Sequence, residues 1–248
     1  MRFTFTLLLA AVATLATAQN KPAPKQAPAQ PPAAADKNTA QQPSSAAILT
    51  QHFLKKYAIA SRWNDYEVAK DALYDVIAEN PNNDSLIFTL AYFYYENQRP
   101  ASALLATQDL LARDPKNLTY LELAGASSEA LGVLDRALQH YESLFLLTNN
   151  VSTLYKIAFL QYDLKRFNES NTNTDILLTK AEMDTLKVVF NDAEGKPKEY
   201  AMRVAVLNLK GLVAQELGNK EEAKKHFEGA LALAADFIPA KQNLNKLK

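Results

Sequence analysis

The sequence predicts an all-α fold in which about five helix–turn–helix units follow one another along the chain. From about Ala46 onward, leucine, alanine, tyrosine and charged residues recur with the spacing of amphipathic helices. Two independent series of residues divide this region into units of the same length. Self-similarity of this kind is typical of solenoids, in which each unit packs only on its neighbours.

The first series consists of residues that end helices. Pro81 and Pro115 are 34 positions apart, and a further 34 positions lead to the Asn149-Asn150 pair. Proline cannot continue a helix, and asparagine favours turns. These residues therefore mark the ends of successive units.

The second series consists of small residues near the start of the second helix of each unit. They are Ala69, Ala103, Ala137, Ser170 and Ala223, and they are spaced by 34, 34, 33 and 53 positions. In four units another small residue precedes this one by twelve positions: Ala91, Gly125, Ala158 and Gly211. Helices that cross closely need small side chains at the contact. Each pair therefore predicts where the two helices of a unit cross, and the step of 53 indicates one repeat plus about nineteen inserted residues.

The 34-residue period, the pairs Gly125/Ala137 and Gly211/Ala223, Gly218 in an inter-helix turn, and the two closing prolines resemble the tetratricopeptide repeat. The resemblance implies a right-handed superhelical α-solenoid. Its five units would lie near residues 48–83, 84–117, 118–150, 151–181 and 201–236, with a C-terminal capping helix that includes Ala240–Leu244. The sequence departs from the family's pattern at Tyr57, Pro100 and Lys210, where small, aromatic and leucine side chains are usual.

Residues 1–18 have the layout of a cleavable secretory signal peptide. Arg2 is followed by an uncharged run that ends in the small-x-small tripeptide Ala16-Thr17-Ala18. The alternative is a membrane anchor, but a span needs about 20 predominantly apolar residues, and this run is shorter and carries four threonines. With no cysteine in the chain, a lipid anchor on a cysteine is excluded. We expect an exported protein of the periplasm, or of the extracellular space, that is not inserted in the membrane after cleavage.

Residues 19–46 form a leader rich in proline, alanine and glutamine. Large apolar side chains are almost absent, so this segment cannot bury enough surface to offset the entropy lost on ordering. We therefore expect a disordered spacer, followed by the solenoid over residues 47–248. Two tripeptides, Asp84-Ser85-Leu86 and Asp184-Thr185-Leu186, resemble an O-glycosylation signal of Bacteroidetes envelope proteins and suggest an exported bacterial origin of that type.

The helical pattern stops between units four and five. Residues 185–190 alternate and include β-branched side chains, residues 191–196 are rich in turn formers, and residues 197–202 could form a returning strand. This predicts a β-hairpin at about residues 183–200. An isolated hairpin is marginal in water, so we expect it to cover a junction between helices. The alternative is an exposed edge that accepts a partner's strand, against which Pro197 argues because it lacks a donor.

The composition and motifs indicate no catalytic chemistry. Lysine plus arginine equals aspartate plus glutamate at 27 each, which gives no reason to expect nucleic acid as a partner. The three histidines, His52, His140 and His226, lie in different units without a second ligand at helical spacing. Gly-rich phosphate loops and hydrolase motifs are absent from the sequence. We therefore expect no cofactor, no metal and no enzymatic activity.

The resemblance implies that the first helices of the units line a concave groove that contacts the partner. In the second to fourth units its inward positions are Phe88, Tyr92, Tyr95, Glu96, Glu122, Glu129, Tyr155, Phe159, Tyr162 and Asp163; in the fifth they include Glu216. This predicts an aromatic and acidic groove suited to peptides with apolar and basic side chains. The alternative is that the aromatic residues pack between helices as core.

The sequence therefore predicts a non-enzymatic scaffold or adaptor of the cell envelope that binds a peptide or protein partner. Carbohydrate binding is the alternative function, since aromatic faces beside carboxylates also suit sugars. Self-association through the hairpin or the capping helix is left open.

Overall fold

The computed structural model describes residues 44–247. The chain divides after Ser44 into two units, and the second contains nearly all of the described residues. The predicted signal peptide and residues 19–43 of the predicted leader lie outside the described residues. Helix α1 begins at Ser45, two residues before the predicted start of the solenoid.

The described part of the chain forms eleven α-helices, a short 3-10 helix and one β-hairpin, which confirms the predicted all-α solenoid. Five helix pairs correspond to the five predicted units, and the last helix follows them as a cap. The helices are α1 (Ser45–Arg62), α2 (Tyr66–Glu79), α3 (Asp84–Glu96), α4 (Pro100–Arg113), α5 (Leu118–Ala130), α6 (Leu134–Thr148), α7 (Val151–Asp163), α8 (Phe167–Leu178), α9 (Met202–Glu216), α10 (Lys220–Leu233) and α11 (Ile238–Lys246). None of the described helices is long and apolar enough to cross a membrane.

The small residues that define the register lie where two helices cross. Ala69, Ala103, Ala137, Ser170 and Ala223 are fully buried. A methyl group on Gly125 would lie 2.9 Å from the ring of Tyr141, which leaves room for hydrogen only. In the fourth unit Ser170 replaces alanine, and its hydroxyl donates a hydrogen bond of 2.7 Å to the carbonyl of Ala158 on the facing helix. The serine is therefore satisfied although it is buried.

The turn inside every unit contains a residue with a left-handed backbone. These residues are Asn64, Gln98, Gly132, Lys165 and Gly218, with φ between 55° and 84°, and they repeat with the same steps of 34, 34, 33 and 53. A positive φ costs little for glycine but is strained for other residues. Asparagine tolerates this conformation at position 64, whereas Gln98 and Lys165 adopt it although their residue types disfavour it, which indicates that the helix packing on either side fixes the turn.

Asparagine begins three of the first helices. The Oδ1 atoms of Asn83, Asn117 and Asn150 accept hydrogen bonds from backbone N–H groups in the first turns of α3, α5 and α7. These side chains satisfy donors that a helix cannot pair internally. The cap recurs with the repeat because each of these units starts a new helix just after a turn.

The insertion is a β-hairpin packed on the end of the solenoid. Strands β1 (Lys187–Asn191) and β2 (Pro197–Ala201) pair antiparallel, and a 3-10 helix at Ala181–Asp184 precedes them. The rings of Phe190 and Tyr200 each lie 5.0 Å from the ring of the fully buried Phe237, in the turn between α10 and α11. The hairpin therefore covers a helix junction, as we expected, and its role as a partner-binding edge stays a prediction.

The three departures from the family's pattern have structural explanations. Tyr57 is partly buried and packs against the core formed by α2 and α3. Pro100 occupies the first position of α4, where its missing N–H is not needed. Lys210 is buried, and its Nζ lies 2.7 Å from Asp175 and 2.9 Å from the side-chain oxygen of Asn171, both on α8. The lysine thus joins two units in place of an apolar contact.

The close helix crossing predicts opposite effects for two glycine substitutions. We expect Gly211→Ala to lower the free energy of unfolding by about 1–2 kcal/mol, because overpacking outweighs the gain in helix propensity. The new methyl group would overlap the ring of Phe227, which is fully buried. Gly229→Ala is the control: its methyl group would meet Leu207 at an ordinary 3.8 Å. It should stabilise the protein by about 0.5–1 kcal/mol. Urea denaturation measures both, and a destabilisation of equal size in the two variants would contradict this account.

Candidate partner-binding groove

The candidate site is the face of the first helices that the family resemblance predicts to be concave. Its residues recur at steps of three and four along each helix, so their side chains share one face. Nine of the ten predicted residues are partly or well exposed, and Tyr155 is the exception. Only 6% of the Tyr155 surface is exposed, and burial raises the pKa of its hydroxyl. Tyr155 is therefore part of the core and not of the exposed first-helix face.

An aromatic cluster covers the groove face of the second unit. The ring of Phe88 lies 5.4 Å from that of Tyr120 and 6.4 Å from that of Tyr92. Tyr92 is 38% exposed, which leaves one side of the cluster open to a partner. Desolvation, together with a hydrogen bond to Glu96, raises the pKa of the Tyr92 hydroxyl. The cluster therefore offers an apolar surface that is fixed at one end by a carboxylate.

Glu129 lies at the centre of a polar network that joins three helices. Its Oε2 accepts a hydrogen bond of 3.3 Å from the hydroxyl of Tyr141 on α6 and lies 3.0 Å from the Nζ of Lys156 on α7. The same Nζ lies 5.0 Å from the centre of the Tyr141 ring. Lys156 and Tyr141 restrain the Glu129 carboxylate, so its position is defined before any partner arrives.

The electrostatics of the face extend beyond Glu129. The pKa of Asp163 is raised by desolvation and by the negative charge of Glu129, although its side chain is exposed to solvent. Desolvation, followed by Glu129 and Glu96, raises the pKa of Tyr95. Carboxylates from different units therefore act on the same region of the surface.

A carboxylate of the fifth unit, Glu216, also acts on this surface. The pKa of Tyr162 is raised by desolvation and then by Glu216 and Asp163, and its ring lies 5.7 Å from that of Phe167. Glu122 contributes to the raised pKa of Tyr141. The carboxylates that share the field are Glu96, Glu122, Glu129, Asp163 and Glu216. A surface with this charge attracts cationic groups and repels acidic ones.

The sequence did not identify two members of the network. Tyr141 lies on a second helix and was not among the predicted residues, and Lys156 lies one position after the predicted Tyr155. Nothing in the local pattern indicates that the lysine reaches Glu129, because the contact joins residues 27 positions apart. The remaining candidates, Phe159 and Tyr162, are partly buried on α7. Their role in binding stays a prediction.

The described residues contain no group of histidine and acidic side chains that could hold a metal ion. The carboxylates of the face lie on successive helices. One of them, Glu129, already accepts a hydrogen bond from Lys156. What this arrangement offers chemically is hydrogen-bond acceptors and aromatic surface. Such a surface binds ligands through charge-assisted hydrogen bonds and apolar contact.

Comparison with known proteins identifies the repeat. Models of the tetratricopeptide repeat match residues 64–127 and residues 204–237. A search of curated proteins found no match. The first segment includes the crossing of α3 and α4, and the second covers most of α9 and the whole of α10.

Solved structures share the fold at low sequence identity. The crystal structure of a MamA protein is 14% identical, with a TM-score of 0.58 over 80% of this chain and 94% of that one. A tetratricopeptide repeat protein from Parabacteroides merdae is 18% identical, with a TM-score of 0.61 over 81% and 72%. A MamA structure from Desulfovibrio magneticus is 15% identical, with a TM-score of 0.54 over 67% and 84%.

The fold defines the class of protein: an α-solenoid whose first helices share an exposed face. The chain contains tetratricopeptide repeats at residues 64–127 and 204–237, within a solenoid of five helix pairs. Repeats of this family generally serve in protein–protein interaction.

The raised pKa of Asp163 predicts that this carboxylate reduces stability. When the folded-state pKa is raised, the ionised group destabilises the fold above that pKa, and the cost disappears as the pH falls through it. We therefore expect Asp163→Asn to raise Tm slightly at pH 7 and to leave it unchanged at about pH 3, where the acid is largely protonated in the unfolded chain too. Thermal unfolding at both pH values measures this. A lower Tm for the variant at pH 7 would show that Asp163 instead supports the fold.

Proposed function

We propose that the chain is a non-enzymatic scaffold of the cell envelope whose groove binds a peptide or protein partner. The proposal is carried by the Glu129 carboxylate held by Lys156 and Tyr141, together with the desolvated carboxylate of Asp163 and the exposed ring of Tyr92 on the first-helix face. The raised pKa of Asp163 means that its ionised form reduces stability, so a positive charge that stabilises this form would be a gain for the folded protein. Binding of a cationic partner would supply that gain.

The chemistry of the groove selects the partner. A lysine or arginine side chain placed near Asp163 would neutralise the repulsion from Glu129 and form charge-assisted hydrogen bonds. An apolar or aromatic side chain of the same partner would pack on Phe88 and Tyr92. Phe88 and Tyr92 lie on α3 and Asp163 lies on α7, and a partner that contacts both must extend over several helices, which favours an extended or helical segment over a small molecule. We therefore propose a peptide segment with basic and apolar residues.

The location in the envelope rests on the signal-like N-terminus and belongs to the proposal. An exported, Bacteroidetes-like protein with a polar leader would hold its solenoid away from whatever surrounds the N-terminus. We propose the periplasm as the compartment. We propose no catalytic role, because the central carboxylate is bonded to Lys156 and Tyr141 and the family's repeats act as binding scaffolds.

Carbohydrate binding is the weaker alternative. Sugars stack on flat aromatic faces that are open to solvent. Of the predicted aromatic residues only Tyr92 is well exposed; Tyr155 is buried, and Phe88, Tyr95, Phe159 and Tyr162 are partly buried. The groove thus presents one accessible ring and several carboxylates, a composition that fits a cationic peptide better.

The groove is tested by neutralising its charge while the fold is kept. In the groove variant, Glu96→Gln, Glu122→Gln and Asp163→Asn remove three charges. In the control, Asp109→Asn, Asp135→Asn and Glu228→Gln remove three exposed charges from the second helices. We expect partners captured from the native envelope fraction to be lost in the groove variant and retained in the control. Mass spectrometry of the eluates and circular dichroism of the variants provide the readouts.

The contribution of the aromatic cluster is tested by Tyr92→Ala. Tyr95 is unsuitable because it packs against the core of the second unit, so its loss would also affect stability. We expect Tyr92→Ala to weaken capture of the same partners at least tenfold, with an unchanged helical spectrum. Equal capture by wild type, by Tyr92→Ala and by the groove variant would show that the partner binds elsewhere.

A further inference from the structure

The N-terminal end of the solenoid leaves one helix face open. In later units the first helix is covered by the second helix of the preceding unit. Three residues occupy equivalent positions in their units: Ile59 in the first, Leu160 in the fourth and Val213 in the fifth. Each lies ten positions before the small residue of the second helix. Leu160 and Val213 are 2% and 0% exposed, whereas Ile59 is 52% exposed. No described residue takes the place of a preceding helix on α1.

The open end is an apolar depression with a basic side. It has a volume of about 480 Å³ and is lined by His52, Lys55, Lys56, Ile59, Ala60, Trp63, Asp65 and Val68. Trp63 is 75% exposed and Val68 is 40% exposed. A contiguous apolar surface of this kind is typical of an interaction site. We call this surface the α1 end face.

The solenoid itself shows what kind of element fits such a face. At the junction between α6 and α7, Leu144 and Phe145 of the preceding second helix pack in one cluster with Ile157 and Leu160. The covering element is therefore an amphipathic helix whose apolar stripe meets the first helix. The α1 end face has the same register, so a helix is the element that it is shaped to receive.

Charge indicates the character of that helix. Lys55 is exposed and forms no ion pair with any residue of the described region. Lys56 occupies the position of Lys210, thirteen residues before the small residue of the second helix. Its Nζ is already paired with Asp71 at 2.7 Å and Asp75 at 3.3 Å on α2, so Lys55 is the cation that faces a partner. At the α8–α9 junction the preceding helix supplies the carboxylate of Asp175, 2.7 Å from the Nζ of Lys210. A helix that covers a lysine-bearing face in this chain thus carries an acidic residue toward it.

Other occupants fit less well. Residues 19–43 contain six prolines and no large apolar side chain, so they have nothing to fill the depression. A second copy in a two-fold arrangement would place each Lys55 against the same surface of its partner. Head-to-tail contact would bring Lys55 toward α11, where Lys241 and Lys246 are exposed. Both arrangements would place lysine side chains near one another, so the positive charges would repel.

We infer that the α1 end face binds an amphipathic helix of another protein whose apolar stripe is flanked by carboxylates. The helix would complete the solenoid by packing on Ile59, Trp63 and Val68 and pairing with Lys55. This surface is separate from the groove, and it requires none of the groove residues. The two sites can therefore be tested independently.

Trp63 provides a direct readout because it is the only tryptophan in the sequence. The probe is a helical peptide of about 18 residues, long enough to hold its helix, with leucine at steps of three and four and glutamate beside this stripe. The matched peptide carries lysine in place of glutamate. We expect the glutamate peptide to shift the Trp63 emission to shorter wavelength in a saturable manner and to bind more tightly than the lysine peptide.

Two variants localise the binding. Lys55→Glu should weaken the glutamate peptide about twofold to fivefold, as expected for one exposed ion pair, and strengthen the lysine peptide. Ile59→Asp should abolish the shift; because Ile59 is exposed, circular dichroism should be unchanged. Lys241→Glu on α11 is the control and should change neither affinity.

Three results would overturn the inference. A blue shift that grows with protein concentration in the absence of peptide, accompanied by a doubled mass in sedimentation, would assign the face to a second copy. An emission already typical of a buried indole and insensitive to peptide would assign it to another segment of the chain. Equal affinity for both peptides, or no shift with either, would show that no acidic helix is recognised.

Discussion

The close crossing of two helices at a pair of small side chains is the contact on which the rest of this solenoid depends. Where Gly211 faces Phe227 or Gly125 faces Tyr141, the first helix lies so near its partner that no larger side chain fits. That proximity constrains how the two helices of a unit pack, and the same buried contact recurs in successive units. The arrangement of the first helices therefore depends on the crossing rather than on the residues of their exposed face.

The repeat made most of the fold predictable from the sequence. The spacing of turns and small residues located all five helix pairs, and the insertion was recognised because it interrupts that spacing. The strained turns were less visible: Gln98 and Lys165 adopt left-handed backbone conformations that their residue types disfavour. Only packing on both sides imposes these conformations, and a local pattern does not record it.

Periodicity predicts where the candidate site lies but not its details. It tells which face of a helix a residue occupies, and the structure leaves the predicted carboxylates partly or well exposed. It does not tell how deeply a long side chain enters the neighbouring unit, so Tyr155 was expected in the groove although it is buried. Likewise, the bond between Lys156 and Glu129 depends on the distance between α5 and α7, which no sequence spacing defines. The positions of side chains between units require the assembled solenoid.

The central claim is that partners bind the first-helix face and not the opposite side. Site-specific photo-crosslinking tests it most directly: a photoreactive phenylalanine analogue replaces Tyr92 in the groove or, as a control, Leu105 on α4, which is 66% exposed. Both proteins are irradiated in cells of the native host, and crosslinked products are identified by mass spectrometry. The account predicts a discrete crosslinked partner from position 92 and none from position 105. Crosslinks that form at position 105 and not at position 92 would contradict it.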